Sequence, residues 1–154
     1  MLPETKLIGD QKTMSFALNK TGDLWRGFMP RKSEIENSTG SELYSVEVYD
    51  SPDFIKKFNP DTRFTKWAAV KVKEIDTIPS GMHALVIPEG LCAVFLYKGK
   101  SSEGAGAYQY IFNTWLPGSS YTLDDRPHLA IMGEKYKNDD PDSEEELWIP
   151  IKEK

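Results

Sequence analysis

The sequence predicts an α+β fold with antiparallel sheets, assembled from two copies of one βαββ unit. Three observations carry that expectation. Apolar stripes at helical spacing occur twice, at Leu24, Trp25, Phe28 and Met29 and again at Tyr108, Ile111, Phe112 and Trp115. Short runs on either side of each stripe alternate apolar and polar residues with the period of a strand. The two halves also match each other. Leu24-Trp25-Arg26-Gly27-Phe28-Met29-Pro30 aligns with Ile111-Phe112-Asn113-Thr114-Trp115-Leu116-Pro117 at an offset of 87 (111 − 24), which also carries Glu47 onto Glu134 and Tyr49 onto Tyr136. Lys66-Trp67-Ala68-Ala69-Val70-Lys71 aligns with Leu147-Trp148-Ile149-Pro150-Ile151-Lys152 at an offset of 81 (147 − 66). Three matches in one order indicate an internal duplication, approximately 10–76 and 82–154, within a single domain spanning 1–154.

Taken in order, Lys12–Leu18 reads as a strand with Met14, Phe16 and Leu18 on one face, and Asn19–Gly22 caps a helix reaching about Met29. Glu42–Asp50 and Phe64–Glu74 are strands. Between them Ser51-Pro52-Asp53 starts a short turn that buries Phe54, Ile55 and Phe58. Ile78–Glu89 joins the halves, with Met82–Ile87 extended. Leu91–Tyr97 is the next strand, Gly104–Leu116 the second helix, and Leu129–Tyr136 and Glu146–Lys152 the closing strand pair. Along the first of that pair Leu129 and Ile131 point one way, while His128, Ala130, Met132, Glu134 and Tyr136 point the other. This is the pattern of a half-buried strand whose second face lines a site.

Composition narrows the function class. A net charge of −5 argues against a duplex-binding surface, so no direct nucleic-acid binding is expected. The single Cys92 excludes an internal disulfide and fits a reducing, cytoplasmic setting. No signal-like segment and no run of about 18 apolar residues points to a membrane. His83 and His128 stand alone, so no metal ligand set is expected, and no motif calls for a cofactor. The acidic run from Asn138 to Glu146 lacks the spacing of a calcium loop and reads as a solvated turn.

With the repeat placed, the sequence resembles the GyrI-like small-molecule-binding domain, the effector-binding domain of bacterial transcription activators. The resemblance runs from about Met14 to the C-terminus. It rests on Asn19-Lys20-Thr21 through Met29-Pro30-Arg31, Leu43-Tyr44-Ser45, Lys66-Trp67-Ala68, Ile87-Pro88-Glu89-Gly90 through Phe95, and Trp115-Leu116-Pro117. It continues with Asp124-Asp125-Arg126-Pro127-His128, Gly133-Glu134-Lys135-Tyr136 and Glu144 through Ile151. It implies a pseudo-two-fold axis relating the halves and, between them, a cleft for lipophilic, often cationic or planar compounds, as in multidrug binding. The resemblance also implies a glutamate on the cleft face of the strand after Arg126-Pro127-His128. That carboxylate complements a cation, and it resembles the catalytic carboxylate of members that open cyclopropane-bearing toxins. Here the position is Ala130, whose methyl group can neither pair with a cation nor shuttle a proton, so neutral ligands are expected to be preferred and no catalytic residue is assigned.

The candidate ligand-binding set is Glu47, Tyr49, Trp67, Ala130, Met132, Glu134, Tyr136 and Trp148. Glu134 either substitutes from the cleft rim for the missing acid or is a solvated strand-end residue, and Glu47 carries the same two readings. Trp67 and Trp148 either flank the cleft as ring faces for planar or cationic ligands or pack one sheet face. The leading expectation is a stand-alone cytosolic binder that senses or sequesters a lipophilic compound, with any role in transcription needing a separate partner. The alternatives are a hydrolase of reactive toxins, or an inhibitor docking on a larger protein such as DNA gyrase; a protein partner or a homodimer is left open.

Overall fold

The structure, a computed structural model, describes residues 1–51, 61–100, 105–137 and 140–154. In chain order it comprises β1 (Thr5–Ser15), α1 (Thr21–Phe28) running into a 3-10 segment (Met29–Glu34), β2 (Leu43–Val48), β3 (Arg63–Lys71), β4 (His83–Ile87) and β5 (Cys92–Lys98). Then come α2 (Ala105–Tyr110), which continues through a π-turn (Ile111–Trp115) into a last helical turn (Leu116–Gly118), and β6 (Tyr121–Leu123), β7 (His128–Met132) and β8 (Glu144–Glu153). The expected α+β architecture with antiparallel pairing is present. The strands form one eight-stranded sheet of order β4-β1-β3-β2-β7-β8-β5, with β6 also paired to β8. The expected turn over 52–60, the helix start at Gly104 and the residues Asn138 and Asp139 lie outside the described residues.

Several boundaries differ from the expected ones. β1 starts at Thr5 rather than Lys12, because Leu7 and Ile8 are themselves core residues, and it ends at Ser15, which leaves Leu18 exposed in the turn. Pro30 and Pro117 do not stop their helices. Each falls at the first or second position of a further helical turn, where its missing N–H costs nothing. β7 ends at Met132, so Glu134 and Tyr136 belong to the β7–β8 connection. β8 begins at Glu144, inside the acidic run.

The sheet is strongly curled. β4 and β5 are its two edges, yet only residues 88–91 join them. Six strand spacings across a flat sheet come to about 29 Å, whereas five residue steps reach about 18 Å at most. The sheet must therefore bend until its edges approach, and the contacts agree. Leu2 and Gly90 exchange backbone bonds at 2.8 and 3.0 Å, and Ile151 N–H donates to Leu91 O at 3.1 Å. Arg126 straps the closure by donating to Leu91 O at 2.5 Å, to Ile151 O at 3.1 Å and to Asp124 Oδ2 at 2.8 Å. Gly9 permits the close approach of β1 to its antiparallel neighbour β3, since a Cβ there would land on the Ala68 carbonyl oxygen and the Ala69 backbone.

Curling gives the sheet a concave inner face and an outer face that carries both helices. The inner face packs Leu2, Leu7, Tyr44, Val46, Trp67, Ala69, Ile87, Leu129 and Ile131, with Trp148 partly buried against them. On the outer face α1 sets Leu24 and Phe28 over Met14, Phe64 and Val70, and α2 with its π-turn sets Ile111 and Leu116 over Leu147, Ile149 and Ala130. β7 is consequently buried on both faces, from His128 to Met132, and is not the half-buried strand expected from its alternation. Curvature supplies the second cover.

The ladders define the relation between the halves. Trp67 pairs with Val46, Val46 with Leu129, and Leu129 with Trp148, so one row across four strands has an aliphatic pair at its centre and a tryptophan at either end. Trp67 and Trp148 keep the offset of 81 seen in the sequence (148 − 67). The central strands are offset by 83 (129 − 46), not by the 87 of the helices, and β1 maps onto β5 at the same 83 (94 − 11), Gln11 opposite Trp67 becoming Val94 opposite Trp148. At that offset Glu47 is the symmetry mate of Ala130 (130 − 47), and Tyr49 of Met132 (132 − 49).

Candidate functional site

The outer face between α1 and α2 is where polar groups and half-buried rings meet. On β2, alternation puts Ser45 and Glu47 on this face, with Tyr49 just past the strand's end; on β3 it puts Phe64, Lys66 and Ala68 there. β7 contributes His128 and Ala130, directly opposite Glu47 and Ser45. Glu47 and Lys66 are opposite one another on β2 and β3, and their side chains, 19% and 11% exposed, form an ion pair of 2.8 Å. The second oxygen of Glu47 accepts a hydrogen bond from the Tyr49 hydroxyl. In the other half the equivalent pair is Ala130 opposite Leu147. One half thus carries an ion pair where its mate carries two apolar residues.

Rings from both halves close around this centre. The His128 imidazole lies edge-on to Tyr49 at 5.2 Å and to Phe112 at 6.1 Å, so it is held between one aromatic from each half. Tyr49 in turn packs on Phe64 at 5.5 Å and stacks with Phe16 at 6.4 Å, and Tyr108 stacks with Phe112 at 6.1 Å. Phe112 sits in the π-turn, a distortion that re-aims side chains without breaking the helix. Tyr49, Tyr108, Phe112 and Phe16 are each half-buried. This is a half-exposed ring cluster rather than a sealed core.

The electrostatics follow from burial and pairing. Burial alone would push the Glu47 carboxyl up, but the charge and hydrogen bond of Lys66 and the Tyr49 hydroxyl outweigh it and hold Glu47 below the usual carboxylate range. Burial, reinforced by the nearby Glu47 charge, pushes the Tyr49 hydroxyl far above its ordinary value. Burial also pushes His128 down to about 4 against the pull of Glu47, so its imidazole is neutral at pH 7. Tyr108 is raised by burial and then by both Glu47 and Glu145. Glu145, half-buried on β8, is raised by burial, with Lys66 pulling the other way. This part of the outer face therefore holds one self-neutralised pair, a neutral imidazole, neutral phenols and a second carboxylate.

The structure brings together four of the eight candidate residues: Glu47, Tyr49, Ala130 and Met132 share the outer face. Trp67 and Trp148 share the inner one, where Trp67 is packed and the Trp148 indole N–H donates to Glu146 at 3.2 Å. Glu134 is exposed and Tyr136 half-buried, both in the turn beyond β7. Sequence reading missed Lys66, Tyr108, Phe112 and Glu145 as members of one site, and it put His128 on the site-lining face of its strand without making it a candidate. Alternation did place Lys66 beside Glu47 in the ladder, had the strand pairing been known. Among the described residues no three of His, Cys, Asp and Glu come together as a metal site, and no helix is long and apolar enough to cross a membrane.

Comparison with known proteins adds the lineage. Residues 1–152 match the GyrI-like small molecule binding domain. The chain belongs to that family. It is also similar to the transcriptional regulator BrlR of Pseudomonas aeruginosa, 25% identical over 151 residues, which are 97% of this chain and 53% of the regulator, so this GyrI-like chain spans about half the length of that relative. Among solved structures, the EcmrR C-terminal domain superposes with a TM-score of 0.72 at 16% identity, covering 99% of this chain and 94% of that one. SAV2435 bound to tetraphenylphosphonium gives 0.65 at 13% identity, covering 98% and 90%. A hydrolase encoded by lin2189 from Listeria innocua gives 0.59 at 12%, covering 98% and 89%. At these identities the structural likeness is one of fold.

Proposed function

We propose that this GyrI-like protein senses or sequesters a lipophilic, planar or cationic compound in the outer-face cleft between its two pseudo-symmetric halves. The observation that carries the reading is the ring assembly around His128, to which both halves contribute and which stays half-open to solvent. Ring faces of this kind bind flat apolar molecules by stacking and attract positive charge through their quadrupoles. The family supports a small-molecule ligand, and the tetraphenylphosphonium bound to SAV2435 is a lipophilic cation. BrlR is a transcriptional regulator; any coupling of this chain to transcription is a further step acting through a partner or an additional segment. The ion-paired Glu47, with both oxygens engaged, favours binding over acid–base chemistry. The test is calorimetric titration with tetraphenylphosphonium and with a flat neutral dye. Tyr108→Ala should weaken both about tenfold, on the scale of one lost aromatic contact, while Trp148→Ala should leave both unchanged. The opposite pattern would move the ligand to the inner face and overturn the reading.

A further inference from the structure

Position 130 lacks the acid that a cationic ligand would need, and Glu47 cannot take over that task. One of its oxygens is held by Lys66 at 2.8 Å and the other by the Tyr49 hydroxyl, so a ligand cation would have to displace an ion pair that is already desolvated. Glu134 is exposed beyond the end of β7. The neighbouring strand offers a different carboxylate. Leu147 lies directly opposite Ala130, and Glu145, two residues earlier on β8, points to the same face. It is diagonal to Ala130 across the β7–β8 ladder, at the roughly 7–8 Å spacing a glutamate side chain can bridge. We propose that Glu145 is the specificity-determining counter-ion of the cleft, the residue that selects lipophilic monocations over neutral compounds of the same shape.

Three further features support this assignment, which rests on the outer-face cleft being the ligand site. Glu145 is half-buried rather than solvated, so its charge is poorly screened and acts strongly on a nearby cation. Tyr108, stacked on Phe112, feels the charges of both Glu47 and Glu145, so both carboxylates act on the ring pair. Lys66 cancels Glu47, whereas the charge of Glu145 has no such direct ion pair among the described residues. The outer face thus keeps one carboxylate that no lysine or arginine among the described residues pairs directly, delivered from β8 instead of β7.

The experiment uses the full chain and two probes, tetraphenylphosphonium and neutral triphenylphosphine oxide, titrated calorimetrically against the wild type, Glu145→Gln and Glu134→Gln. The wild type should bind the cation more tightly than the oxide. Glu145→Gln should lose about tenfold or more in affinity for the cation, the scale of one charge-assisted contact, and keep its affinity for the oxide; Glu134→Gln should behave as wild type. A Glu145→Gln protein that binds both probes as the wild type does overturns the assignment of Glu145 and leaves the cleft standing. Loss of selectivity in Glu134→Gln instead moves the counter-ion to the β7–β8 turn and overturns it as well. Wild-type protein that binds neither probe overturns the cleft reading and, with it, this one.

Discussion

Replacing Lys66 by leucine copies into the first half what the second half already has, a leucine at the place of Leu147, but leaves Glu47 where its symmetry mate is Ala130. The carboxylate then keeps the Tyr49 hydroxyl and loses its cation. Removing one partner of a buried pair costs about 3–5 kcal/mol. The pair here retains 19% and 11% side-chain exposure, and Tyr49 still donates, which brings the expected loss to about 2–3 kcal/mol at pH 7, or roughly 5–10 °C in Tm for a chain of this size. The pH dependence should invert at the same time. In the wild type Glu47 is held below its unfolded value of 4.5, so its contribution is present above that pH and is lost as pH falls through the folded value. Without Lys66, burial wins and the folded value rises above the unfolded one, so the penalty is greatest at neutral pH and shrinks on acidification. The double variant Lys66→Leu with Glu47→Ala reproduces the Leu147–Ala130 pair in full and should recover most of the loss. Urea denaturation of the three proteins at pH 7 and pH 4.5 measures all of this. If the single variant loses under about 0.5 kcal/mol, or the double variant is less stable than the single, the pair is a solvated surface contact and the account of the cleft floor is wrong.

Two further outcomes follow from the described geometry. His128 has its folded pKa lowered to about 4 from 6.5, so the unfolded chain binds the proton first and stability falls as pH drops through that window, by about 2 kcal/mol at pH 5 and about 3 kcal/mol at pH 4; His128→Phe should flatten that acid limb in urea titrations, and an unchanged limb would place the titration elsewhere. Gly9→Ala should cost about 2–3 kcal/mol, because the added methyl meets Ala68 and Ala69 backbone that cannot step aside, and a thermal scan within a degree or so of wild type would show that β1 and β3 have room to part.

The strands and helices were legible because their periods differ and each pattern appears twice. Trp67 and Trp148 kept in the ladders the offset that the sequence had assigned them. The central strands did not, because the helix-to-strand connections of the two halves differ in length, and a four-residue error there exchanged Ala130 for Glu134 as the mate of Glu47. Alternation told which residues of β7 share a face and that Leu129 and Ile131 pack, but it did not show that the second helix and its neighbours also cover His128, Ala130 and Met132. Tyr108 and Phe112 fit a helical stripe and read as core until the π-turn and their half-exposure were seen. Glu145 was hidden by its neighbours: six acidic residues within eight positions look like a solvated turn, and only the start of β8 at Glu144 separates the last of them from it.

The β2–β7 ladder has a consequence for how the chain reaches this state. It pairs residues that are 81 (128 − 47) to 89 (132 − 43) apart in sequence, with Glu47 opposite His128 at one end and Leu43 opposite Met132 at the other. Closing a loop of that length costs entropy before any contact rewards it, and chains dominated by such remote pairings fold in milliseconds to seconds rather than microseconds. The hairpin-like pairs β2–β3 and β7–β8 are more local and can form first. The search for the partner half is then the slow step, and the rings around His128 assemble only when it ends.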